Sequence, residues 1–425
     1  MQIHVVSSGE TLFSIARQYD VPAGILARYN GLAEPYRLAA GQSLLILRPT
    51  SLVTVRAGDT LSSLARQNGQ SVRSLLRLNP NLTQQAAIYP GQIVVTAIED
   101  APEHTAAAFG YAYPYVSPSV LAGILPYAGG LAPFTYGFTE DGTLVPLDDT
   151  ALLAQAAEIG TAGVMHLSTL TERGTFSAER AAALLENEAA QETLIANVVT
   201  NMAARGYQAL DVDFEYLGAP LAAAYAAFLG KLRAAVNASG WPLLAALAPK
   251  MSREQAGTLY EGHDYAAVAA NTDAVLLMTY EWGYTYGPPM AVAPLPSVRR
   301  GVEFALTEMP PEKVFLGFPN YAYDWTLPYA PGTTRAQSIG NEAAVQLAVN
   351  VGAEIRFDEQ AQTPWFAYTD GESRAHEVWF EDARSSLAKY RLVTEYGLCG
   401  IGYWNFMRPF TAGFALLNAV FRLEP

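Results

Sequence analysis

The chain has 425 residues, of which 51% are hydrophobic and 16% are charged. This length exceeds that of an ordinary single domain, and the composition supports a large buried core and argues against extended disorder. The formal charge of −14 disfavours nucleic acids and anionic membranes as partners and favours a neutral ligand.

Sequence signals for disulfides, metal binding and membrane insertion are lacking. Cys399 is the single cysteine, so an intramolecular disulfide is excluded. The five histidines are scattered and neither HExxH nor CxxC occurs, so we expect no metal and no cofactor. The N-terminus does not have the pattern of a signal peptide, and no run of about 18 apolar residues predicts a membrane span.

The first hundred residues contain an internal repeat. Residues 6–12, VSSGETL, match residues 55–61, VRAGDTL, at an offset of 49 positions. The same offset relates Asn30 to Asn79. A repeat of this length indicates two copies of one small structural unit.

Each copy predicts the same order of elements. A short β run is followed by a glycine turn and by a helix that Thr11 or Thr60 caps with its hydroxyl. A second helix and a closing strand complete the copy. The sequence therefore predicts two βααβ domains, over residues 1–49 and 51–98.

These two units resemble LysM modules. The G-[ED]-T-L start, the central asparagine and the Gly-Gln turn before the closing strand carry the resemblance. LysM modules bind N-acetylglucosamine-containing glycans, so the resemblance implies peptidoglycan or a related glycan as the partner. The residues expected in the two glycan-binding grooves are Gly9, Thr11, Asn30, Gly58, Thr60 and Asn79. Alternatively, individual residues of this set, such as Thr11 and Thr60, serve only turns and caps.

Residues 99–105 are polar and predict a short linker to the large domain, 105–425. In that domain eight apolar runs alternate with helical patterns: 120–126, 134–138, 163–168, 210–216, 243–248, 274–280, 314–318 and 400–404. This alternation predicts an α/β fold, a (β/α)8 TIM barrel. An open doubly wound sheet is the alternative, but no glycine-rich phosphate loop follows the first run. Residues 352–380 predict a small α+β insertion between the seventh and eighth strands.

The fourth run carries three acidic residues at alternate positions, Asp211, Asp213 and Glu215. Side chains alternate between the two faces of a strand, so these three share one face. The apolar residues between them must pack under the helices, which directs the acids into the barrel. Buried acids are costly unless paired or protonated, so at least one proton should remain on them near neutral pH. A solvated strand face explains the pattern less well than a functional site at the carboxyl end of the strand.

This ladder resembles the D-x-x-D-x-D-x-E signature of glycoside hydrolase family 18. The sequence MTYEW at 278–282, after the sixth run, and Trp404, at the end of the eighth, match further family motifs in the correct order. The resemblance covers residues 105–425 and implies a barrel with glycosidase activity. The sequence departs from the family at Gln208, where Asp is usual, and at Glu281, where Asp or Asn is usual.

The resemblance implies substrate-assisted hydrolysis with retention of configuration. In that mechanism Glu215 protonates the glycosidic oxygen, and the acetamido oxygen of the sugar attacks its own anomeric carbon. Asp213 holds the acetamido N–H and Asp211 tunes Asp213. Tyr280 hydrogen-bonds the acetamido carbonyl, and Trp404 stacks under the central sugar.

Other residues near the strand ends are secondary candidates for substrate contact. They are Met278, Glu281, Trp282, Asn320, Tyr321 and Tyr323. Each has an alternative as loop packing. His166 ends the third run, but a lone histidine is more often structural, and we assign it no role.

Two LysM units before a family 18 domain are similar to the domain order of spore cortex-lytic enzymes. The resemblance implies an N-acetylglucosaminidase that acts on cortex peptidoglycan and is located at the spore or the cell wall. We expect a monomer. A LysM-bearing chitinase and a non-catalytic glycan-binding coat protein are the alternatives, and the three intact acids argue against the second.

Overall fold

The computed structural model describes residues 1–99, 102, 104–171 and 174–424. Residues 100, 101 and 103 of the predicted linker lie outside this described part of the chain. None of the helices that it contains is long and apolar enough to cross a membrane.

The N-terminal region forms the two predicted βααβ modules. The elements of the first are Gln2–Val5, Leu12–Tyr19, Ala23–Tyr29 and Ser43–Ile46; those of the second are Pro49–Thr54, Leu61–Gln67, Val72–Arg77 and Ile93–Ile98. In each module the two strands pair antiparallel. Thr11 and Thr60 cap the first helices by accepting a hydrogen bond from the backbone N–H three residues on.

Eight parallel strands close into the barrel. They are His104–Ala112, Gly130–Pro133, Ala162–Ser168, Ala209–Asp213, Leu243–Leu247, Ala274–Leu277, Val314–Pro319 and Gly400–Trp404. Neighbours in sequence pair in this order, and the eighth strand pairs with the first. The predicted (β/α)8 fold is confirmed.

Helices surround the barrel. In chain order they are Pro118–Ile124, Thr150–Ile159, Ala178–Leu185, Glu188–Arg205, Ala222–Asn237, Thr258–Glu261, Tyr265–Ala270, Leu295–Glu308, Ala383–Tyr396 and Thr411–Val420. Short 3-10 turns occupy Leu125–Tyr127, Ala219–Leu221 and Pro311–Lys313. A final strand, Phe421–Leu423, pairs in parallel with the start of the first barrel strand. A small hairpin, Gly137–Phe138 with Leu144–Val145, follows the second strand.

The first predicted strand, 120–126, is wrong. Those residues belong mainly to the helix Pro118–Ile124, which starts with a proline at a position where no backbone N–H is needed. The first strand is instead His104–Ala112, whose alanines disguise it because alanine favours helices over strands. The second strand also lies earlier than predicted, at Gly130–Pro133 rather than 134–138.

The insertion after the seventh strand is larger than the predicted 352–380. Five antiparallel strands form it, in the spatial order Gln337–Ile339, Ala322–Leu327, Ala375–Trp379, Thr363–Thr369 and Arg356–Asp358. The helix Asn341–Val351 packs on this sheet through Ala344 and Ala348. The strand Ala322–Leu327, which comes first in the chain, begins three residues after the seventh barrel strand ends at Pro319. The insertion therefore lies directly beside the barrel mouth.

Side chains of the barrel strands separate into two apolar layers. Outward residues such as Leu210, Val212 and Phe214 pack beneath the helices in the main core. Inward residues such as Phe109 and Phe315 fill the barrel interior. The acids of the fourth strand lie among these inward side chains, toward the carboxyl end of the strand, where barrel active sites are built.

Candidate active site

The three acids of the fourth strand form a column that rises from the barrel interior to its mouth. Asp211 and Asp213 lie within the strand and are buried. Glu215 lies two residues beyond the end of the strand and is partly exposed. The structure thus brings the ladder together, with its acids inward and the intervening apolar residues outward.

Asp211 is the deepest of the three acids. Its Oδ2 accepts a 2.8 Å hydrogen bond from the hydroxyl of Tyr111, while its Oδ1 has no partner among the described residues. Burial raises the pKa of Asp211 to about 6, although His166 and Tyr111 oppose the shift. Asp211 therefore takes up a proton just below neutral pH, where it becomes a donor beside Asp213.

His166 lies close to both aspartates, a position that the sequence analysis did not anticipate. Its Nε2 is 3.6 Å from Asp211 Oδ2 and 3.8 Å from Asp213 Oδ2. Its Nδ1 is 2.6 Å from the hydroxyl of Thr135. The third strand pairs with the fourth so that His166 lies opposite Asp211 in register. His166 therefore points into the barrel, and this inward position was the signal in the sequence that could have predicted its contact with the acids.

Glu215 has the properties of a general acid. Burial raises its pKa well above the usual range, and the negative charges of Asp213 and Glu281 raise it further. The carboxyl therefore holds its proton at a pH where an ordinary glutamate is ionised. The next residue, Tyr216, has a φ of 59°, a left-handed conformation that is strained for tyrosine and turns the chain at the barrel mouth.

A buried histidine fixes the backbone between Asp213 and Glu215. His263 Nε2–H donates to the carbonyl of Phe214 over 3.0 Å, and Nδ1 accepts from the N–H of Ala248 over 3.1 Å. Since one nitrogen must donate and the other accept, the imidazole is neutral, and burial lowers its pKa. His263 thus joins the ends of the fourth and fifth strands, a positioning role for which no sequence pattern provides a signal.

Glu281 lies at the cleft mouth and is held by two tyrosines. The hydroxyls of Tyr321 and Tyr323 both donate to its Oε1, the second over 3.1 Å. Glu281 reaches solvent, yet the surrounding cleft wall removes enough water to raise its pKa, against the effect of the two tyrosines. The structure therefore joins three of the secondary candidates in one hydrogen-bonded cluster.

The other candidates after the sixth strand have different surroundings. Burial, and then the charges of Asp213 and Glu215, raise the pKa of the Tyr280 hydroxyl well above its usual range, so it stays a neutral donor. Met278 packs in the barrel-interior cluster beside Trp404. Trp282 packs partly against the outer core.

Trp404 lies at the centre of the barrel mouth. Its ring centroid is 4.8 Å from that of Phe134 and 5.5 Å from that of Tyr111. Asn320 is fully buried behind it: its N–H donates to the Trp404 carbonyl over 2.7 Å, and its side-chain amide donates to two backbone carbonyls of the following loop. Both amide hydrogens of Asn320 are therefore used to position the loop of Trp404, which places this candidate behind the site.

Gln208 lies at the opposite end of the fourth strand from Glu215. It is exposed, and its N–H donates to the carbonyl of Gly163. We expect Gln208→Ala to keep kcat/KM within roughly a factor of three, because exposed substitutions usually change free energies by less than about 0.5 kcal/mol. Steady-state kinetics would check this, and a large loss would mean that the ladder is aligned incorrectly with the family signature.

The predicted LysM residues divide into turn, cap and core positions. Gly9 and Gly58 have φ of 87° and 91°, and a Cβ added at either position would have no neighbour within 4 Å. The buried amide of Asn30 donates to the carbonyls of Leu26 and Leu45, and Asn79 makes the equivalent pair of bonds. These two amides therefore hold the second helix to the closing strand, which leaves glycan contact to other groups of the same loops.

In the part of the chain that the structure describes, no three His, Cys, Asp or Glu side chains are grouped to hold a metal ion. The acids of the ladder are instead surrounded by hydroxyl and imidazole groups. Such an arrangement suits proton transfer within the protein and to a neutral ligand.

Comparison with known proteins agrees with this geometry. Residues 174–408 match glycosyl hydrolases family 18, and residues 4–47 and 53–96 match the LysM domain. The chain belongs to glycosyl hydrolase family 18. Its assignment as a glycosidase with two LysM modules is confirmed.

Relatives with known names resemble this chain over nearly its whole length. A cortical fragment-lytic enzyme of Bacillus subtilis (strain 168) is 38% identical over 431 positions, covering 100% of this chain and 99% of the relative. A cortical fragment-lytic enzyme of Bacillus anthracis is 33% identical over 98% of this chain and 97% of that protein. The crystal structure of the Bacillus megaterium QM B1551 spore cortex-lytic enzyme SleL is 35% identical, with a TM-score of 0.84 and coverage of 100% and 98%.

Proposed function

We propose that this family 18 glycosidase cleaves the β-1,4 bond after N-acetylglucosamine in spore cortex peptidoglycan, with substrate-assisted retention of configuration. The observation that carries the proposal is the column of Asp211, Asp213 and Glu215 at the mouth of the barrel. The full-length similarity to cortical fragment-lytic enzymes supports cortex as the substrate and the spore as the location.

Glu215 is the proposed proton donor to the glycosidic oxygen. Its raised pKa keeps it protonated before the bond breaks, as a general acid requires. Once it has given up the proton, the same carboxylate takes a proton from the attacking water. In family 18 the acetamido oxygen of the sugar replaces a protein nucleophile, so no second carboxylate needs to form a covalent bond.

Asp213 is proposed to hold the acetamido group during this attack. Its Oδ1 has no hydrogen-bond partner among the described residues, so this buried acceptor is available for the acetamido N–H. A negative charge at Asp213 also stabilises the positive charge that develops on the oxazolinium ring. Asp211 lies beside Asp213 and has a pKa of about 6, so it is proposed to donate a hydrogen bond to Asp213 when it is protonated and not when it is ionised.

The aromatic residues at the mouth suit a chain of sugar rings. Trp404 contacts Tyr113, with ring centroids 6.1 Å apart, and Tyr113 stacks on Tyr115 at 5.2 Å. Tyr115 is 76% exposed, so the row extends from the barrel mouth to the surface. Tyr280 is proposed to donate its hydroxyl to the acetamido carbonyl, and its raised pKa keeps that proton in place.

Product analysis tests the proposed bond and substrate. Purified enzyme is incubated with spore cortex fragments and, in parallel, with chitin oligomers, and the products are identified by mass spectrometry. We expect cortex fragments with new reducing ends on N-acetylglucosamine, and slower digestion of chitin. Reducing ends on muramic acid would overturn the bond assignment. Preferred digestion of chitin would favour a LysM-bearing chitinase, and binding without any products would favour a glycan-binding coat protein.

The charge of Glu281 should influence the alkaline limit of activity. Because this charge raises the pKa of Glu215, Glu281→Gln should lower that pKa. The acid must be protonated to act, so activity should then be lost at a lower pH than in the parent enzyme. The pH dependence of kcat/KM measures the shift. Glu312→Gln, at the opposite end of the barrel, is the matched control and should leave the alkaline limb unchanged. An unshifted limb in Glu281→Gln would contradict Glu215 as the titrating acid.

A further inference from the structure

A cleft of about 380 Å³ separates the first LysM module from the catalytic domain. One wall is the loop that follows the second helix of the module, residues 30–37. The opposite wall is the insertion helix Asn341–Val351, with residues 380–383 beyond it. None of the acids of the ladder lines this cleft, so it is separate from the candidate active site.

The module contacts the catalytic domain directly around this cleft. The N–H of Ile355 donates to the carbonyl of Ala40 over 2.8 Å, and the Arg384 guanidinium donates to the carbonyl of Gly41 over 3.2 Å. A Cβ at Gly41 would lie 1.7 Å from the Ile355 carbonyl oxygen, so only glycine permits this approach. Tyr29 of the module packs in the same core as the barrel helices. The two walls of the cleft are therefore held together by backbone hydrogen bonds and a shared core.

The lining of the cleft combines hydrogen-bonding groups with an apolar surface. Arg37 and Gln42 lie on the module side and Glu342 and Gln346 on the insertion helix. Val345, Val349, Ile355, Phe380 and Phe410 supply the apolar part. Of the lining carboxylates, Glu381 pairs with Lys389, Asp382 pairs with Arg384, and Glu342 accepts from the N–H of Thr411. The exposed side chains of Glu34, Arg37 and Gln346 remain at the rim, where their polar groups suit a neutral ligand with O–H and N–H donors. A sugar ring offers such donors at its rim and C–H groups on its faces.

The module wall of the cleft also borders the groove that the LysM resemblance assigns to glycan. Phe13, at the start of the first helix, contacts Tyr36 of the 30–37 loop, with ring centroids 6.2 Å apart. The same loop thus has one side toward that groove and the other toward the insertion helix. A saccharide in the groove can therefore extend into the cleft without leaving the loop.

The far wall of the cleft is connected to the active site. The side-chain amide of Asn341 donates to Asn320 Oδ1 over 3.4 Å, and Asn320 holds the loop of Trp404. The cleft therefore lies at the same end of the barrel as the acids. A glycan strand held there lies at the end of the barrel that carries the catalytic mouth.

We propose that this cleft is a second saccharide-binding site, built half from the module and half from the insertion helix. It takes a sugar unit of the same N-acetylglucosamine-containing strand that enters the catalytic cleft. The proposal rests on the proposed glycosidase function. Long strands gain binding affinity from this second site. Short oligosaccharides fill only the catalytic cleft and gain none.

The test is Gln346→Trp, which fills the cleft from the insertion helix. We expect KM for long, peptide-free glycan strands to rise by about tenfold, which corresponds to about 1.4 kcal/mol of binding free energy. Both kcat and kcat/KM for chitotriose should stay at the parent values. Arg37→Ala, on the opposite wall, should raise the long-strand KM in the same direction. The melting temperatures of both variants should match that of the parent.

Asn350→Trp is the matched control for this test. Gln346 donates a 2.9 Å hydrogen bond to Asn350, so the control breaks the same side-chain bond on the same helix but leaves the cleft open. A Gln346→Trp enzyme that cleaves long strands like the parent overturns the second site. An increase of KM only for peptide-bearing cortex fragments assigns the cleft to the stem peptide and overturns the saccharide. Failure of the parent enzyme to cleave any strand instead contradicts the proposed function.

Discussion

Glu215→Gln should lose at least about 10³-fold in kcat while the protein stays folded, an effect typical of removing a general acid. The amide keeps the size of the side chain and has no proton to give to the glycosidic oxygen. Since desolvation of Glu215 raises its pKa and keeps the side chain neutral, a neutral amide of the same size should not destabilise the fold. A loss of this size corresponds to about 4 kcal/mol of transition-state stabilisation.

Kinetics with cortex fragments, together with thermal unfolding, measure this result. Glu281→Gln is the matched comparison, because it neutralises another carboxylate at the same mouth, whose charge raises the pKa of Glu215. We expect it to keep most of its turnover at its own optimal pH. Turnover near the parent value in Glu215→Gln would exclude Glu215 as the acid.

Asp213→Asn should be nearly as damaging as Glu215→Gln. Asparagine can still accept the acetamido N–H through its oxygen, but it carries no negative charge to stabilise the oxazolinium ring. The substitution also removes a charge that raises the pKa of Glu215. The residual activity should therefore decline at a lower pH than that of the parent, because Glu215 loses its proton earlier as the pH rises.

The pH profile of the residual activity separates this role from a structural one. Loss of fold would lower activity at every pH and would leave the alkaline limb where it was. Asp211→Asn is the matched comparison one position deeper in the column; it keeps an acceptor for the Tyr111 hydroxyl and should lose less activity than Asp213→Asn. Equal losses at both positions, with unshifted limbs, would contradict separate roles for the two aspartates.

Local pattern was sufficient to predict the column of acids. A strand alternates its side chains by geometry alone, so Asp211 and Asp213 had to share a face whatever their neighbours were, and Glu215 continues the same alternation two residues beyond the end of the strand. The repeat of the N-terminal modules was equally visible, because Thr11 and Thr60 cap their helices through bonds to residues only three positions away. These predictions succeeded because each depends on contacts that are close in sequence.

The first strand shows where local pattern fails. Its residues His104–Ala112 are rich in alanine, and their strand conformation comes from hydrogen bonds to the second and eighth strands. Because the prediction placed the first strand at 120–126, it missed Tyr111, whose hydroxyl bonds to Asp211 one hundred residues later. No alternation within the segment could have replaced those partners.

By itself the sequence determined the two modules, the barrel class and the alternate positions of the three acids, since these follow from periodicity and motif. Only the tertiary structure decided the groups that tune them: Tyr111 and His166 beside Asp211, and His263 beneath the backbone that leads to Glu215. It also decided the cleft between the first module and the insertion helix. The physical reason is that pKa values, bond partners and clefts depend on burial and on distances between segments remote in sequence, which only the folded chain establishes.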